Sequence, residues 1–177
     1  TYRAIEKLKE SQSGVYLAPL RLLALEVYQR LNEEGVKCNL ITGEERIIIP
    51  EAKFTSSTIE MANFNNIIET AIIDEVQLLN DRDRGYAWTN AIIGLPANNI
   101  LCLGTTEIEN SLASLIGHCG KNSIIEKSIQ TKRLNGLEVT KNNKIEDGTA
   151  IITFSRKDVL YYAELYRKQG FNVSVIY

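Results

Sequence analysis

Short apolar runs alternate along the chain with longer stretches whose apolar residues recur at helical spacing. Gly14–Pro19 is an apolar run that ends at a proline, and Leu20–Glu34 places leucines and Val27 on one face of a helix. These segments predict a strand followed by a helix, and the same signals recur further on. Strands are also predicted at 35–41, 54–61, 69–74 and 99–104, and helices at 1–10, 83–95 and 107–119, the last closed by Gly120.

The predicted strands are nearly continuous apolar runs separated by helices. This order is typical of a mostly parallel sheet covered by helices on both faces, because a strand buried on both sides has no polar face. The sequence therefore predicts an α/β fold.

A change of composition divides the chain. From Lys121 to Asp147 the residues become polar and rich in turn formers, which predicts a domain boundary. Beyond it, a strand at 149–154, a helix at 156–169 and a strand at 171–177 predict one βαβ unit, with Gly170 ending the helix. A single unit of this kind cannot form a domain alone, so we expect it to open a second domain.

Composition limits the functions that fit the chain. The 177 residues are 44% hydrophobic, enough for a buried core, and 20 Lys+Arg against 22 Asp+Glu give a net charge of −2. A polyanion must therefore bind at a local site rather than to the whole surface. The three cysteines are odd in number and widely spaced, which favours a reduced intracellular compartment over a disulfide framework or zinc cluster. No apolar run approaches the roughly 20 residues of a membrane span, and the beginning shows no signal-peptide pattern.

The strongest chemical signal is a pair of acids, Asp74 and Glu75, at the carboxyl end of a buried strand. Ligands of open α/β sheets bind outside these strand ends. An Asp in this place can hold Mg²⁺ through its water shell, and a neighbouring Glu can orient or deprotonate the water that attacks a terminal phosphate. The acids could equally cap the next helix, since carboxylates favour helix N-termini. The pair alone leaves both interpretations open.

For the other candidate residues, packing in the fold is the expected role. His118 and Cys119 have no second histidine or matching cysteine pair, so we expect them to pack at a helix C-terminus. Tyr16, Tyr86 and Trp88 could stack on bases, but aromatic residues at strand or helix spacing more often belong to the core.

Six segments follow the order and spacing of one protein family, and the run Arg-Gly-Tyr-Ala-Trp-Thr-Asn-Ala-Ile-Ile-Gly-Leu around Trp88 is unusual outside it. The chain resembles the mitochondrial degradosome RNA helicases and their bacterial relatives, DExH-type members of helicase superfamily two. The resemblance covers essentially the whole chain. The segments are 18–24, 40–45, 55–61, 74–77, 84–89 and 154–155.

The resemblance implies an ATP-dependent helicase that uses ATP and Mg²⁺. It makes residues 1–130 a RecA-like domain without its first strand and phosphate loop, 131–148 a linker, and 149–177 the start of a second RecA-like domain. Thr1 would directly follow the missing phosphate loop, and would bind both the nucleotide and Mg²⁺. Later motifs would lie beyond Tyr177. We therefore expect a fragment that is catalytically incomplete.

The resemblance also assigns roles to individual residues. Asp74 would hold Mg²⁺ through water, Glu75 would be the catalytic residue, and Gln77 would link hydrolysis to the facing domain. A second set would grip the sugar-phosphate backbone without reading sequence. That set is Pro19, Arg21, Thr42, Gly43, Thr58 and Ser155.

The implied substrates are single-stranded or duplex RNA, an RNA/DNA hybrid, or DNA. The family further implies a ribonuclease partner, no membrane, and a place in the bacterial cytoplasm or the mitochondrial matrix. Two other functions stay open at this point. One is a non-catalytic nucleic-acid-binding module that keeps the helicase fold, and the other is an unrelated α/β nucleotide-binding enzyme.

Overall fold

A computed structural model describes residues 1–119, 124, 126 and 145–176. Contacts divide the chain into two units, Thr1–Ile129 (unit 1) and Gln130–Tyr177 (unit 2). Gly120, most of the predicted boundary at 121–147 and most of the predicted linker at 131–148 lie outside the described residues. Within those residues, no helix is both long and apolar enough to cross a bilayer.

The described part of unit 1 is built on one six-stranded sheet with the order β3-β2-β4-β1-β5-β6. Neighbouring strands are parallel except β2 and β3, which are antiparallel. The prediction of a mostly parallel α/β sheet is confirmed. The strands are β1 Gly14–Ala18, β2 Cys38–Ile41, β3 Arg46–Ile47, β4 Phe54–Thr58, β5 Ile68–Ile73 and β6 Ala97–Cys102.

Helices cover both faces of this sheet. The helices in the described part of unit 1 are α1 Tyr2–Lys9, α2 Arg21–Glu33, α3 Gly85–Gly94 and α4 Glu109–His118, with 3₁₀ turns at Ile59–Met61, Val76–Asn80 and Thr106–Ile108. One apolar cluster joins α1 and α2 to one face, and a second joins α3, α4 and the 3₁₀ turns to the other. Strand β1 lies between them and is buried along its whole length.

Two local features differ from the sequence prediction. Strand β3 was not predicted, because Arg46–Ile47 is a short exposed pair without apolar alternation. The predicted strand at 54–61 instead divides into β4 and a 3₁₀ turn. The buried Ser56 in β4 is tolerated because its hydroxyl donates to the carbonyl of Ala24 at 2.6 Å.

Unit 2 contains α5, Arg156–Lys168, and the helix ends before Gly170 as predicted. The strand predicted at 149–154 is not formed, and the one predicted at 171–177 is not formed over its described residues 171–176: no residue among 145–155 and 169–176 pairs in a β-ladder. A strand needs a neighbour for its backbone N–H and carbonyl groups. The described residues of unit 2 supply none.

Candidate functional site

The carboxyl ends of five parallel strands form one edge of the sheet in unit 1. Across that edge, the order β2, β4, β1, β5, β6 places Thr42–Gly43 first, then Thr58, Pro19, Asp74 and Gly104. Five of the six residues assigned to nucleic-acid contact, all except Ser155, therefore end or follow β2, β4 and β1, and those assigned to hydrolysis follow β5. The edge is the kind of crevice in which α/β sheets bind ligands.

Asp74 is only 6% exposed, and several elements of the fold form hydrogen bonds with it. Its backbone N–H donates to the carbonyl of Leu17 at 3.0 Å, and its own carbonyl accepts from the indole Nε1 of Trp88 at 2.9 Å. In the carboxylate, Oδ1 accepts from the N–H of Glu75 at 3.0 Å and Oδ2 from the hydroxyl of Tyr16 at 2.5 Å. Each carboxylate oxygen thus has a partner and keeps a lone pair for another ligand.

Tyr16 projects from β1 into the core and reaches the site only with its hydroxyl. Burial raises the pKa of the phenol, and the hydrogen bond to Asp74 raises it further. Tyr16 therefore stays protonated at neutral pH and acts as a donor. A donor in this place fixes one orientation of the Asp74 carboxylate, as outer-shell partners do for metal ligands.

The interpretation that the acids only cap the next helix is wrong. Glu75 precedes the 3₁₀ turn Val76–Asn80, yet its side chain makes no capping hydrogen bond. The Asp74 carboxylate is bonded to Tyr16, and the Glu75 carboxylate accepts from the side-chain amide of Gln77.

Glu75 has a left-handed backbone with φ of 52°. This conformation costs a non-glycine residue on the order of 1–3 kcal/mol and concentrates at functional sites. Gln77 holds the carboxylate, and its Oε1 accepts from the N–H of Thr105 at 3.4 Å. Glu75 is therefore fixed by both its backbone and its neighbour.

Gly104 allows the loop after β6 to approach the loop after β5. A Cβ on Gly104 would lie 2.7 Å from Cγ2 of Val76 and 2.8 Å from Oε1 of Gln77. The N–H of Val76 also donates to the carbonyl of Leu103 at 2.8 Å. The two loops therefore fit together only because residue 104 lacks a side chain.

The loop after β2 presents backbone rather than a hydroxyl. The hydroxyl of Thr42 is buried and accepts from the N–H groups of Glu44 at 3.3 Å and Glu45 at 3.0 Å. Gly43 is exposed with open space around it. Arg21 forms an ion pair with Glu44, so the loops after β1 and β2 are joined at the surface.

The loops after β1 and β4 are joined by a residue that sequence reasoning missed. Pro19 is buried, and its carbonyl accepts from Nη2 of Arg84 at 2.6 Å. The same guanidinium pairs with Glu60, two residues after the half-buried Thr58. The sequence offered one signal for Arg84, its place at the head of the run around Trp88.

The contacts described above do not involve Thr1 or Ser155. Thr1 is exposed, and its carbonyl accepts from the N–H of Ile5 at 3.1 Å to begin α1. Just beyond the end of α1, the hydroxyl of Ser11 donates to that of Thr70 in β5 at 2.7 Å. Ser155 belongs to unit 2, where its hydroxyl accepts from the N–H of Asp158 at 3.1 Å and caps α5.

The aromatic residues divide in their exposure. Tyr16 and Trp88 belong to the core as expected, but Tyr86 is 62% exposed, so a core position was wrong for it.

Burial raises the pKa of the Cys38 thiol to about 12 and that of Cys102 to about 11. Both cysteines therefore remain neutral thiols, as expected of small apolar side chains.

The donor set suits Mg²⁺ held together with a phosphate. Among the residues that the structure describes, no three His, Cys, Asp or Glu side chains come together as a metal cage. His118 is exposed in the last turn of α4, with Nδ1 2.7 Å from the carbonyl of Ser114. Mg²⁺ commonly binds one or two carboxylates plus water and phosphate oxygens, and Asp74 fits that pattern.

Comparison with known proteins identifies relatives along the whole chain. A family model described as the DEXQ-box helicase domain of Suv3 matches residues 1–128. The mitochondrial ATP-dependent RNA helicase SUPV3L1 of Danio rerio is 36% identical over all of this chain and 24% of its own length. The mitochondrial helicases DExH16 of Arabidopsis thaliana and SUV3 of Saccharomyces cerevisiae are 35% and 34% identical, again over all of this chain. The chain spans 32% and 25% of those two proteins, so it covers only about a quarter to a third of the length of these three relatives.

Replacing Tyr16 by phenylalanine removes the hydroxyl from the Asp74 carboxylate. We expect Tyr16→Phe to lower the free energy of unfolding by about 1–3 kcal/mol, because a buried charged acceptor loses its partner. Urea denaturation followed by the fluorescence of Trp88, the single tryptophan of the chain, measures this. Tyr28→Phe is the control, since its hydroxyl has no partner among the described residues. Equal effects of the two changes would contradict the assigned bond.

Replacing Gly104 by alanine places a methyl group against Val76 and Gln77. We expect Gly104→Ala to cost about 1–3 kcal/mol of unfolding free energy, because the loops after β5 and β6 must move apart. The same fluorescence measurement applies. Gly117→Ala on α4 is the matched control, since its Cβ would meet nothing within 4 Å. A Gly104→Ala protein as stable as Gly117→Ala would show that the close approach is not needed.

Proposed function

Because this chain belongs to the Suv3 family of DEXQ-box helicases, we propose that the whole protein containing it hydrolyses ATP to move along and unwind RNA or an RNA/DNA hybrid. Membership of this family excludes an unrelated α/β nucleotide-binding enzyme. The observation that carries the proposal is the fixed pair Asp74 and Glu75 with Gln77 at the carboxyl edge of the sheet.

Asp74 is suited to hold a hydrated cation beside a phosphate. Its carboxylate is buried, oriented by Tyr16 and still able to accept from a metal-bound water. Bound Mg²⁺ would neutralise charge on the phosphate oxygens. The chain's own contribution is a carboxylate that needs no reorientation when the nucleotide arrives, which is how preorganised sites lower a barrier.

Glu75 is the candidate for orienting or deprotonating the attacking water. Its left-handed backbone and its bond to Gln77 set the direction of the carboxylate. Since Gln77 also accepts from the N–H of Thr105, a movement of the loop after β6 would reach Glu75 through one amide. This path supports the role of Gln77 in linking hydrolysis to domain movement.

The nucleic-acid strand would lie along the loops after β2, β4 and β1. The exposed backbone of Gly43 and the guanidinium of Arg21 suit contacts with phosphate, which position a strand without reading its sequence. Arg21 must exchange Glu44 for a phosphate to make that contact. Thr58, Pro19 and Thr42 would shape the loops, and the contact of Ser155 with the sugar-phosphate backbone stays a prediction.

This chain supplies one part of the proposed machinery. The 177 residues contain no Gly-Lys-Ser or Gly-Lys-Thr, so a phosphate loop must come from elsewhere in the whole protein. Thr1 would then bind the nucleotide and Mg²⁺ through its hydroxyl. On this proposal the chain alone is catalytically incomplete.

The partners and the compartment extend the same proposal. RNA helicase relatives favour RNA over DNA as the substrate, and their mitochondrial names favour the mitochondrial matrix over the bacterial cytoplasm. A ribonuclease partner, implied by the resemblance, stays a prediction.

Replacing Glu75 by glutamine in the whole protein tests the proposed chemistry. We expect Glu75→Gln to keep ATP binding and to reduce RNA-stimulated ATP turnover by about 10²–10⁴-fold, the usual loss when a general base is removed. Steady-state turnover and equilibrium nucleotide binding measure the two quantities. Glu10→Gln, an exposed acid at the opposite edge of the sheet, is the control and should keep full turnover.

The outcomes separate the two remaining functions. Full turnover by Glu75→Gln would remove Glu75 from its role. A wild-type protein that binds RNA but neither binds nor hydrolyses ATP would instead be the non-catalytic module that keeps the helicase fold.

A further inference from the structure

The guanidinium of Arg84 contacts three parts of the carboxyl edge at once. Its Nη2 donates to the carbonyl of Pro19 at 2.6 Å, in the loop after β1. Its Nε and Nη2 lie 2.8 and 2.7 Å from Oε1 of Glu60, in the turn after β4. Its carbon Cζ lies 5.4 Å from the centre of the Trp88 ring. This is a stacked cation–π arrangement.

Trp88 continues the connection to the hydrolysis residues. The indole is fully buried, and its Nε1 donates to the carbonyl of Asp74 at 2.9 Å. The contacts therefore run from Pro19 and Glu60 through the guanidinium of Arg84 and the ring of Trp88 to the backbone of Asp74. Every step of this path is a hydrogen bond or a ring contact between named atoms.

The turn that carries Arg84 is held in place. Oδ1 of Asp81 accepts from the N–H groups of Arg84 at 2.8 Å and Asp83 at 3.0 Å. These two backbone bonds lower the pKa of Asp81, which therefore stays charged at neutral pH. A Cβ on Gly85 would lie 2.4 Å from the carbonyl oxygen of Leu79, so the next residue must be glycine. A fixed turn limits how far the guanidinium can move alone.

We propose that Arg84 is a positioning residue that transmits binding of the nucleic-acid strand at the loops after β1 and β4 to the hydrolysis residues after β5. This rests on the proposed function. A strand bound to these loops shifts the Pro19 carbonyl and the Glu60 carboxylate, and the guanidinium that holds both moves with them. The stacked ring of Trp88 passes the displacement to the Asp74 backbone. Coupling between two binding events is reciprocal, so if strand binding changes the affinity for nucleotide through Arg84, nucleotide binding changes the affinity for the strand by the same factor.

Arginine is needed for this role because its planar fork can bond two oxygens while its face stacks on a ring. Lysine has a single ammonium on a flexible stem and cannot do both. The inference therefore distinguishes a positioning role from a simple need for positive charge.

Variants of Arg84 in the whole protein test the inference. The readout is the ratio of ATP turnover at saturating single-stranded RNA to turnover without RNA. We expect Arg84→Ala to lower this ratio at least about fivefold, the lower range of measured site-to-site couplings, and Arg84→Lys to fail to restore it. Arg82→Ala is the matched control, because the Arg82 side chain is exposed and makes no bond to the residues that the structure describes. It should keep the wild-type ratio.

A second variant protects the test against loss of folding. Glu60→Gln removes the charge that holds the guanidinium. Because Glu60 is exposed, we expect this variant to stay folded. We expect it to lower the same ratio. Because Glu60 acts through Arg84, the double variant should be no lower than Arg84→Ala alone, the non-additivity of residues in one network.

Each outcome decides between separate claims. A wild-type ratio in both Arg84→Ala and Glu60→Gln would overturn the inference and leave the proposed function intact, and a loss of stability alone would make Arg84 purely structural. A wild-type protein whose ATP turnover does not respond to RNA would overturn the proposed function, and this inference with it.

Discussion

The carboxyl edge depends on how firmly the end of β5 is held. A carboxylate as buried as that of Asp74 is costly unless its oxygens are hydrogen-bonded. Tyr16 from β1 and the N–H of Glu75 supply those bonds, and Leu17 and Trp88 fix the backbone of the same residue. Both apolar layers therefore converge on one residue. The packing that stabilises the sheet also orients the group proposed to hold the cation.

The features that could be predicted from the sequence are local along the chain. Strand β5 is an apolar run followed directly by Asp74 and Glu75, so its position and its acids were visible together. The carboxyl ends of the parallel strands share one edge, and the structure places the loops after β1, β2 and β4 along the same edge as the acids. Strand β3 was missed because two exposed residues carry no pattern.

The features that could not be predicted join residues distant in sequence. Tyr16 lies 58 positions before Asp74, and its place in an apolar strand indicated only packing. Arg84 lies 65 positions from Pro19, and no periodicity relates them. The strands expected at 149–154 and 171–177 are not seen among the described residues 149–154 and 171–176, for a related reason. A strand pattern describes a preference, whereas a strand also requires a partner that the described residues of unit 2 do not provide.

The central claim is that one sheet edge carries both the hydrolysis residues and the strand-binding loops, so each responds to the other. The most direct measurement is the affinity of the whole protein for single-stranded RNA, with and without a non-hydrolysable ATP analogue and Mg²⁺, at one fixed salt concentration. We expect the two affinities to differ by about fivefold or more. Equal affinities would contradict the claim and leave a nucleic-acid-binding module that is indifferent to ATP.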